Sequence, residues 1–498
     1  MEIQFQKQVY PCMQLWAEEI KNEEQTLEIR IPDAMPDIGS VLGAWGQILI
    51  RSKEWRSDGM SITGGVMTWA MYVPEDGSMP RTVEGWIPFS VRWDFPQAQR
   101  DGTILTSCLL RSVDSRCLSA RKLMMRCSIS LMAQALEPSE FSVYQPSHVP
   151  EDIQLLRRSY PMCHRSEAGE KQFTLDEDLT LPSDMAGGKP MSFSLQPEIT
   201  DKKIMADKVV FRGSALLRVL LRNEEGQLKT TSFDVPFSQY AQLDREYGDN
   251  AQTQILPLTT SMELDTLEDG RLRMKAGMTG QYVIYDRPVI ELTEDAYSNL
   301  RTVKPKFGTV EVPAVLDFHS RTMSVSASAA ASMDEVTDVC LFLQQPITQR
   351  GTEDMKILLS GGFSMVGKNE EGNAVGASSK WEESYALPAD PNTRVSAFCY
   401  PTGVPRGIPT SEGVELSAEA TVEALITQDS GLPQMTALEL GELQEPDPAR
   451  PALVLCRAGE SELWQLAKEN GSTVEAIRNA NRLEAEPVPG QMLLIPVL

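Results

Sequence analysis

The feature that most constrains this chain is that it repeats itself. Met60–Gly77 aligns with Val209–Gly226 without a gap, placing Gly64 on Gly213 and Gly77 on Gly226 at an offset of 149 residues. Ile87-Pro88-Phe89-Ser90 then meets Val235-Pro236-Phe237-Ser238, and Ile29–Pro32 meets Leu179–Pro182. A weaker third copy, Ile357–Gly372, sets Gly361 on Gly213. A repeat of this length marks a folding unit used several times. The boundaries expected are 1–150, 151–300 and a divergent 301–430, with 431–452 as a linker and 453–498 as a separate module.

Each copy ends in a long alternating run. The apolar positions are Leu123, Met125, Cys127, Ile129 and Leu131 in the first copy and Leu272, Met274, Ala276 and Met278 in the second. In the third they are Leu416, Ala418, Ala420 and Val422. Period-two alternation indicates strands with one buried face. Turn signals such as Asp76-Gly77, Glu225-Gly226 and Glu371-Gly372 separate the runs. The fold class expected is mainly β: three β-sandwich or barrel-like repeats, with short helices after Pro36 and around Ser238–Tyr247.

In the Gly64 strand, Val66, Thr68, Ala70 and Tyr72 and their counterparts Ala215, Leu217, Val219 and Leu221 read as core. The opposite parity (Leu216, Arg218, Leu220, Arg222; Ser364, Val366) reads as solvated. In the first copy that parity becomes Met67, Trp69 and Met71, an apolar face that reads as packing against a neighbouring copy or the N-terminal segment, with a protein-docking surface as the other reading.

The chain carries 46 Lys+Arg against 70 Asp+Glu, a formal charge of −24, and has no basic cluster, which argues against nucleic-acid binding. Eight cysteines and three histidines fall in no metal-ligand spacing, so no metal or cofactor is expected. The adjacent Cys163 and His164 read as a plain surface pair. There is no P-loop, since Gly187-Gly188-Lys189 runs into Pro190, and no nucleophile elbow, so a non-enzymatic role is expected. No signal-like leader and no apolar stretch of membrane length appear, and a cytoplasmic protein without membrane insertion is expected.

Gly431–Ala452, with four prolines and four acids against Arg450, reads as an extended acidic linker. Beyond it, a strand at Leu453–Arg457, helices at Glu462–Asn470 and Thr473–Ala480 and a strand at Met492–Ile495 give a βααβ pattern. This tail resembles a LysM domain through Gly459-Glu460-Ser461, Leu463–Ala467, Thr473–Ile477, Asn481-Arg482-Leu483 and Pro489–Pro496. Glu462 is an extra residue relative to that pattern. The resemblance implies a groove, for N-acetylglucosamine polymers or a partner, at Gly459, Glu460, Ser461, Asn481, Arg482, Leu483 and Glu484. Neither groove loop contains an aromatic ring.

The repeats resemble SPOCS domains through Ile31-Pro32, Pro36-Asp37-Ile38, the Gly64 and Gly213 strands and the Pro-Phe-Ser signature. Three such repeats followed by LysM resemble the SipL-like family of clostridial spore coat and cortex assembly factors. The resemblance implies an adaptor in the mother-cell cytosol, at the forespore surface. Its LysM module would contact the polymerising ATPase of the coat basement layer, and its repeats would recruit other coat proteins or self-associate.

Overall fold

Residues 2–95, 102–352, 354–444, 450–459 and 462–498 are described by a computed structural model. The chain is mainly β. Unit 1 comprises β1 (Glu2–Ile3), β2 (Phe5–Arg30), β3 (Ile38–Arg56), β4 (Gly59–Pro74), β5 (Arg81–Asp94), β6 (Thr103–Ser119) and β7 (Lys122–Pro146). Unit 2 comprises β8 (Ile153–Pro161), β9 (His164–Leu179), β10 (Lys189–Met205), β11 (Lys208–Arg222), β12 (Leu228–Gln242), β13 (Gln252–Thr266), β14 (Leu272–Asp286) and β15 (Val289–Ser298). Unit 3 comprises β16 (Arg301–Ala329), β17 (Glu335–Leu343), β18 (Ile347–Arg350), β19 (Met355–Lys368), β20 (Ala374–Leu387), β21 (Arg394–Thr410) and β22 (Gly413–Leu443).

The three units share one antiparallel topology. A sheet β3-β4-β5 faces β2-β7-β6, β10-β11-β12 faces β9-β14-β13, and β17-β19-β20, with β18, faces β16-β22-β21. Val66, Ala70, Tyr72, Leu217, Val219, Phe363 and Met365 lie in the sandwich interiors, all buried. The sequence signatures of the repeat meet in a single contact. Gly64 is the cross-strand partner of Phe89, Gly213 of Phe237 and Gly361 of Trp381. A Cβ at these glycines would stand 2.8, 2.6 and 2.8 Å from the partner ring, so the ring covers the glycine and pins the register. The turn glycines Gly77, Gly226 and Gly372 all take positive φ (70°, 82° and 78°), which only glycine adopts without strain.

The units close into a ring. Trp69 and Met71 on β4 are buried against β10 of unit 2, with the Trp69 and Phe193 rings 4.6 Å apart. Arg218 on β11 reaches β17 of unit 3, donating to Asp338 (2.7 Å) and to the Val339 carbonyl (2.8 Å). Val366 on β19 shares a cluster with Leu42 and Trp45 on β3 of unit 1. The face of Met67, Trp69 and Met71 is therefore an internal seam, and of the parity expected to be solvated, Arg218 meets unit 3, Arg222 donates to the Pro80 carbonyl of unit 1, and Val366 packs on unit 1. Burying its methylenes while paying for its charge with Asp338 is how Arg218 sits on such a face.

From the ring rises a pillar of three two-stranded ribbons. The first pairs Phe5–Leu15 of β2 with Leu136–Pro146 of β7. The second is β8 with β15, and the third pairs Arg301–Val315 of β16 with Thr427–Leu443 of β22. Cys12, Phe141, Val143, Met162, Ile290, Leu292, Val310 and Val312 form their shared core. Residues 431–443, expected as linker, are thus strand, because Met435, Leu438 and Leu440 are buried in the pillar. Of the rest of the expected linker, residues 445–449 lie outside the described residues. No helix forms after Pro36, where Ile38 begins β3, nor at Ser238–Tyr247. There β12 ends at Gln242, and the Leu243 and Tyr247 amides bond back to Asp207 and Ala206.

The Cys163–His164 pair is not at the surface. His164 is fully buried, its Nε2 3.3 Å from the Pro11 carbonyl and its ring edge-on to Phe141. Burial holds its pKa below the ordinary imidazole value; the Pro11 carbonyl and Asp286 pull upward and Arg245 downward. A depressed histidine suppresses proton uptake in the folded state, so stability is lost as pH falls through the unfolded value near 6.5. The urea midpoint should fall between pH 7 and pH 5, and His164→Gln should flatten that fall. An unchanged slope would contradict the assignment. Asp338 also accepts from the Trp45 indole of unit 1 (3.1 Å) and from Thr230 of unit 2 (2.9 Å). Asp338→Ala should cost about 3–5 kcal/mol in chemical denaturation, because it strands the buried Arg218. Removing the exposed Arg273–Asp176 pair should cost at most about 1 kcal/mol.

Candidate functional site: the C-terminal module and its seat on the pillar

The module comprises β23 (Leu453–Arg457), α1 (Leu463–Glu469), α2 (Val474–Asn481) and β24 (Met492–Pro496). Ala458, Leu463, Leu466, Ala467, Ile477, Leu493 and Ile495 are buried together. The Thr473 side chain caps α2 by accepting from the Ala476 amide (3.1 Å). Arg482 ends α2 in the left-handed conformation at φ 53°.

A core this small gains from a neighbour, and the pillar supplies one. Tyr297 of β15 joins the module's core, its ring edge-on to Trp464 at 4.8 Å. The Trp464 indole donates to Asp295 (2.8 Å), and Lys468 reaches the same carboxylate (2.6 Å). The Tyr297 hydroxyl and the Asn299 amide both donate to the Ser472 carbonyl (3.0 Å each). Arg158 of β8 bonds Glu462 (2.7 Å) and pairs with Glu294 (3.2 Å). Glu462, the residue inserted relative to the LysM pattern, is therefore a contact with the pillar. Burial first, and then the Asp295 charge, push the Tyr297 phenol up to about 12. It stays a neutral donor throughout the physiological range.

The groove residues named from the sequence divide. Gly459, Arg482 and Glu484 are exposed. Glu460 and Ser461 lie outside the described residues. Asn481 is committed to structure: its amide donates to the Ile477 and Leu494 carbonyls (2.8 and 2.6 Å) and its oxygen accepts from the Leu494 amide (2.7 Å). It clamps α2 to the edge of β24, with both of its amide protons engaged. Leu483 packs against the module's core.

Periodicity did not single out the other side of the module. Leu455 and Leu494 are cross-strand partners on the outer face of β23–β24, 62% and 38% exposed, with Leu453 and Met492 beside them at 52% and 49%. A five-residue strand alternating Leu453, Leu455 against Val454, Cys456 is apolar on both faces, so its pattern alone gives no inner side. No group of three or more metal-ligating side chains occurs among the described residues. No described helix is long and apolar enough to cross a membrane.

No protein-family model, curated protein or solved structure matches the chain.

The seat should be held by the Tyr297–Trp464 contact more than by the charges around it. Trp464→Ala should speed protease cleavage between residues 444 and 453 and deprotect α1 in hydrogen exchange. A double-mutant cycle on Arg158 and Glu462, both well exposed, should couple by less than about 1 kcal/mol. A tight module in Trp464→Ala would refute this ordering.

Proposed function

We propose that the protein is a non-enzymatic adaptor of spore envelope assembly. The ring and pillar serve as a rigid scaffold, and the C-terminal module docks the polymerising ATPase of the coat basement layer. The observation that carries this reading is the exposed apolar face of Leu453, Leu455, Met492 and Leu494, on a module whose opposite side is anchored to the pillar. Aliphatic surface of this kind, held on a fixed element, suits protein contact better than sugar contact. The acidic surface, at −24 overall, favours a basic partner. The partner class and the cytosolic, mother-cell setting come from the SPOCS and LysM resemblance.

Leu455→Lys and Leu494→Lys in the full chain should lower affinity for the ATPase at least tenfold while changing stability by no more than about 0.5 kcal/mol. Arg482→Glu probes the groove face independently. If the leucine variants bind normally and Arg482→Glu does not, the partner sits in the groove. If only N-acetylglucosamine oligomers bind the module and the ATPase does not, the adaptor reading falls to the glycan-binding one.

A further inference from the structure

The three units meet around a chamber of about 250 Å³ at the centre of the ring, which neither the scaffold nor the docking reading uses. Two strands from each unit line it: β3 and β6, β10 and β13, β17 and β21. All six are edge strands, each paired on one side only. An edge turned inward must find other partners for its backbone groups. Side-chain amides supply some of them. Gln281 donates to the Thr106 and Leu256 carbonyls (2.8 and 3.4 Å) and accepts from the Thr106 amide (3.0 Å). Gln47 accepts from the Leu195 amide (2.8 Å), and Gln196 donates to the Pro401 carbonyl (2.7 Å).

The walls between these amides are apolar. Ile48, Leu110, Ile255, Leu258, Leu341 and Phe342 all line the chamber. Cys108, Leu110, Cys340 and Leu341 are only half-buried, although they lie where the three units converge. The surface they keep therefore faces the chamber. Burial pushes both thiols up, that of Cys340 to about 12, where the Asp338 charge adds to it. An apolar cavity of about 150 Å³ already stays dry and takes an apolar guest, and this chamber is larger.

The charged side chains that line the chamber cancel in sign: Glu198 and Glu423 against Lys202 and Arg218. Arg218 is committed to Asp338. Glu423 accepts from the Tyr400 hydroxyl (3.2 Å) and from the Gln254 amide (3.4 Å). Lys202 is exposed and Gln196 and Glu198 are half-buried, so these three mark the mouth. An ion drawn inside would lose its hydration and find no unspent opposite charge in the walls.

We infer that the chamber is a binding site for a neutral, mainly hydrocarbon small molecule with one uncharged polar end, such as a long-chain alcohol. The hydrocarbon would fill the space among Ile48, Leu110, Ile255 and Leu341. The hydroxyl would sit at the mouth with Gln196, whose side chain both donates and accepts. Such a guest takes its own apolar surface out of water together with that of three units at once. The inference stands apart from the adaptor reading, since the chamber is in the ring and the module is on the pillar. Its failure would leave that reading untouched.

The test uses the full chain and phenylnaphthylamine, a neutral apolar dye that fluoresces out of water. The dye should bind saturably, and dodecanol should displace it about tenfold more effectively than dodecanoate or dodecylammonium does. At alkaline pH dodecanol should slow the alkylation of Cys108 and Cys340 by benzylmaleimide, read by peptide mass spectrometry, and leave that of the exposed Cys117 unchanged. Leu110→Trp and Cys340→Phe fill the chamber from two different units and should each weaken dye binding about tenfold. The melting temperature reports whether each variant folds; if neither does, the alkylation pattern of the unaltered chain decides. Arg273→Ala, at an exposed position of β14, should bind the dye normally. The inference is overturned if the dye does not bind saturably, if either charged analogue displaces it as well as dodecanol does, or if binding survives in folded Leu110→Trp and Cys340→Phe. It is equally overturned if Cys108 and Cys340 react no faster without dodecanol than with it, or if Arg273→Ala abolishes binding.

Discussion

The architecture depends on what covers the outer face of the central strand in each sandwich. An isolated sandwich of this kind would expose Trp69 and Met71, or Arg218 and Leu220, or Val366. Each is instead pressed onto the first strand of the next unit's facing sheet. The three seams are one arrangement used three times with different chemistry. The first is aromatic and apolar, the second is a buried ion pair, and the third sets Val366 against Leu42 and Trp45. Asp338 ties the ring together, because it belongs to unit 3 and accepts from Trp45 of unit 1 and from Arg218 and Thr230 of unit 2. A carboxylate so buried is tolerated only because its lone pairs are occupied.

Much of the fold was legible in the sequence because β-structure writes a period of two. The core parity of β4, β11 and β19, the turn glycines and the Pro-Phe-Ser signature could all be read directly. Their shared meaning could not, since Gly64 and Phe89 become partners only when the strands register. The ring was illegible for a related reason. Arg218 and Arg222 on one face read as solvated, and nothing local tells of the Asp338 that meets Arg218 from 120 residues away. Residues 431–443 were hidden by a β-bulge. The register shift opposite Lys306 and Phe307 moves the buried parity from Met435 to Leu438 and Leu440, so the alternation breaks and the prolines dominate the reading.

The module shows the same division. Its βααβ order followed from helix caps and spacing, and its inner core from the apolar positions. Its seat did not, because Trp464 reads as a core residue of an independent domain and Tyr297 as one more strand aromatic. The pair makes sense only together, with Asp295 accepting from Trp464 and Lys468. The residues carried into a groove by resemblance proved unequal: Asn481 spends its amide on fastening α2 to β24, whereas Arg482 and Glu484 remain outside.

The long strands have a mechanical consequence. In units 1 and 3, β2, β7, β16 and β22 run unbroken from the pillar into the sandwiches. A pull along the pillar therefore loads their ladders in shear, with many hydrogen bonds bearing the force together. Unit 2 lacks that continuity, because Met162-Cys163 and Arg287-Pro288 interrupt both of its strands. The module is seated on the far end of this interrupted ribbon. Non-covalent load on the module would reach the interrupted ribbon, whereas its covalent attachment leads to the continuous β22.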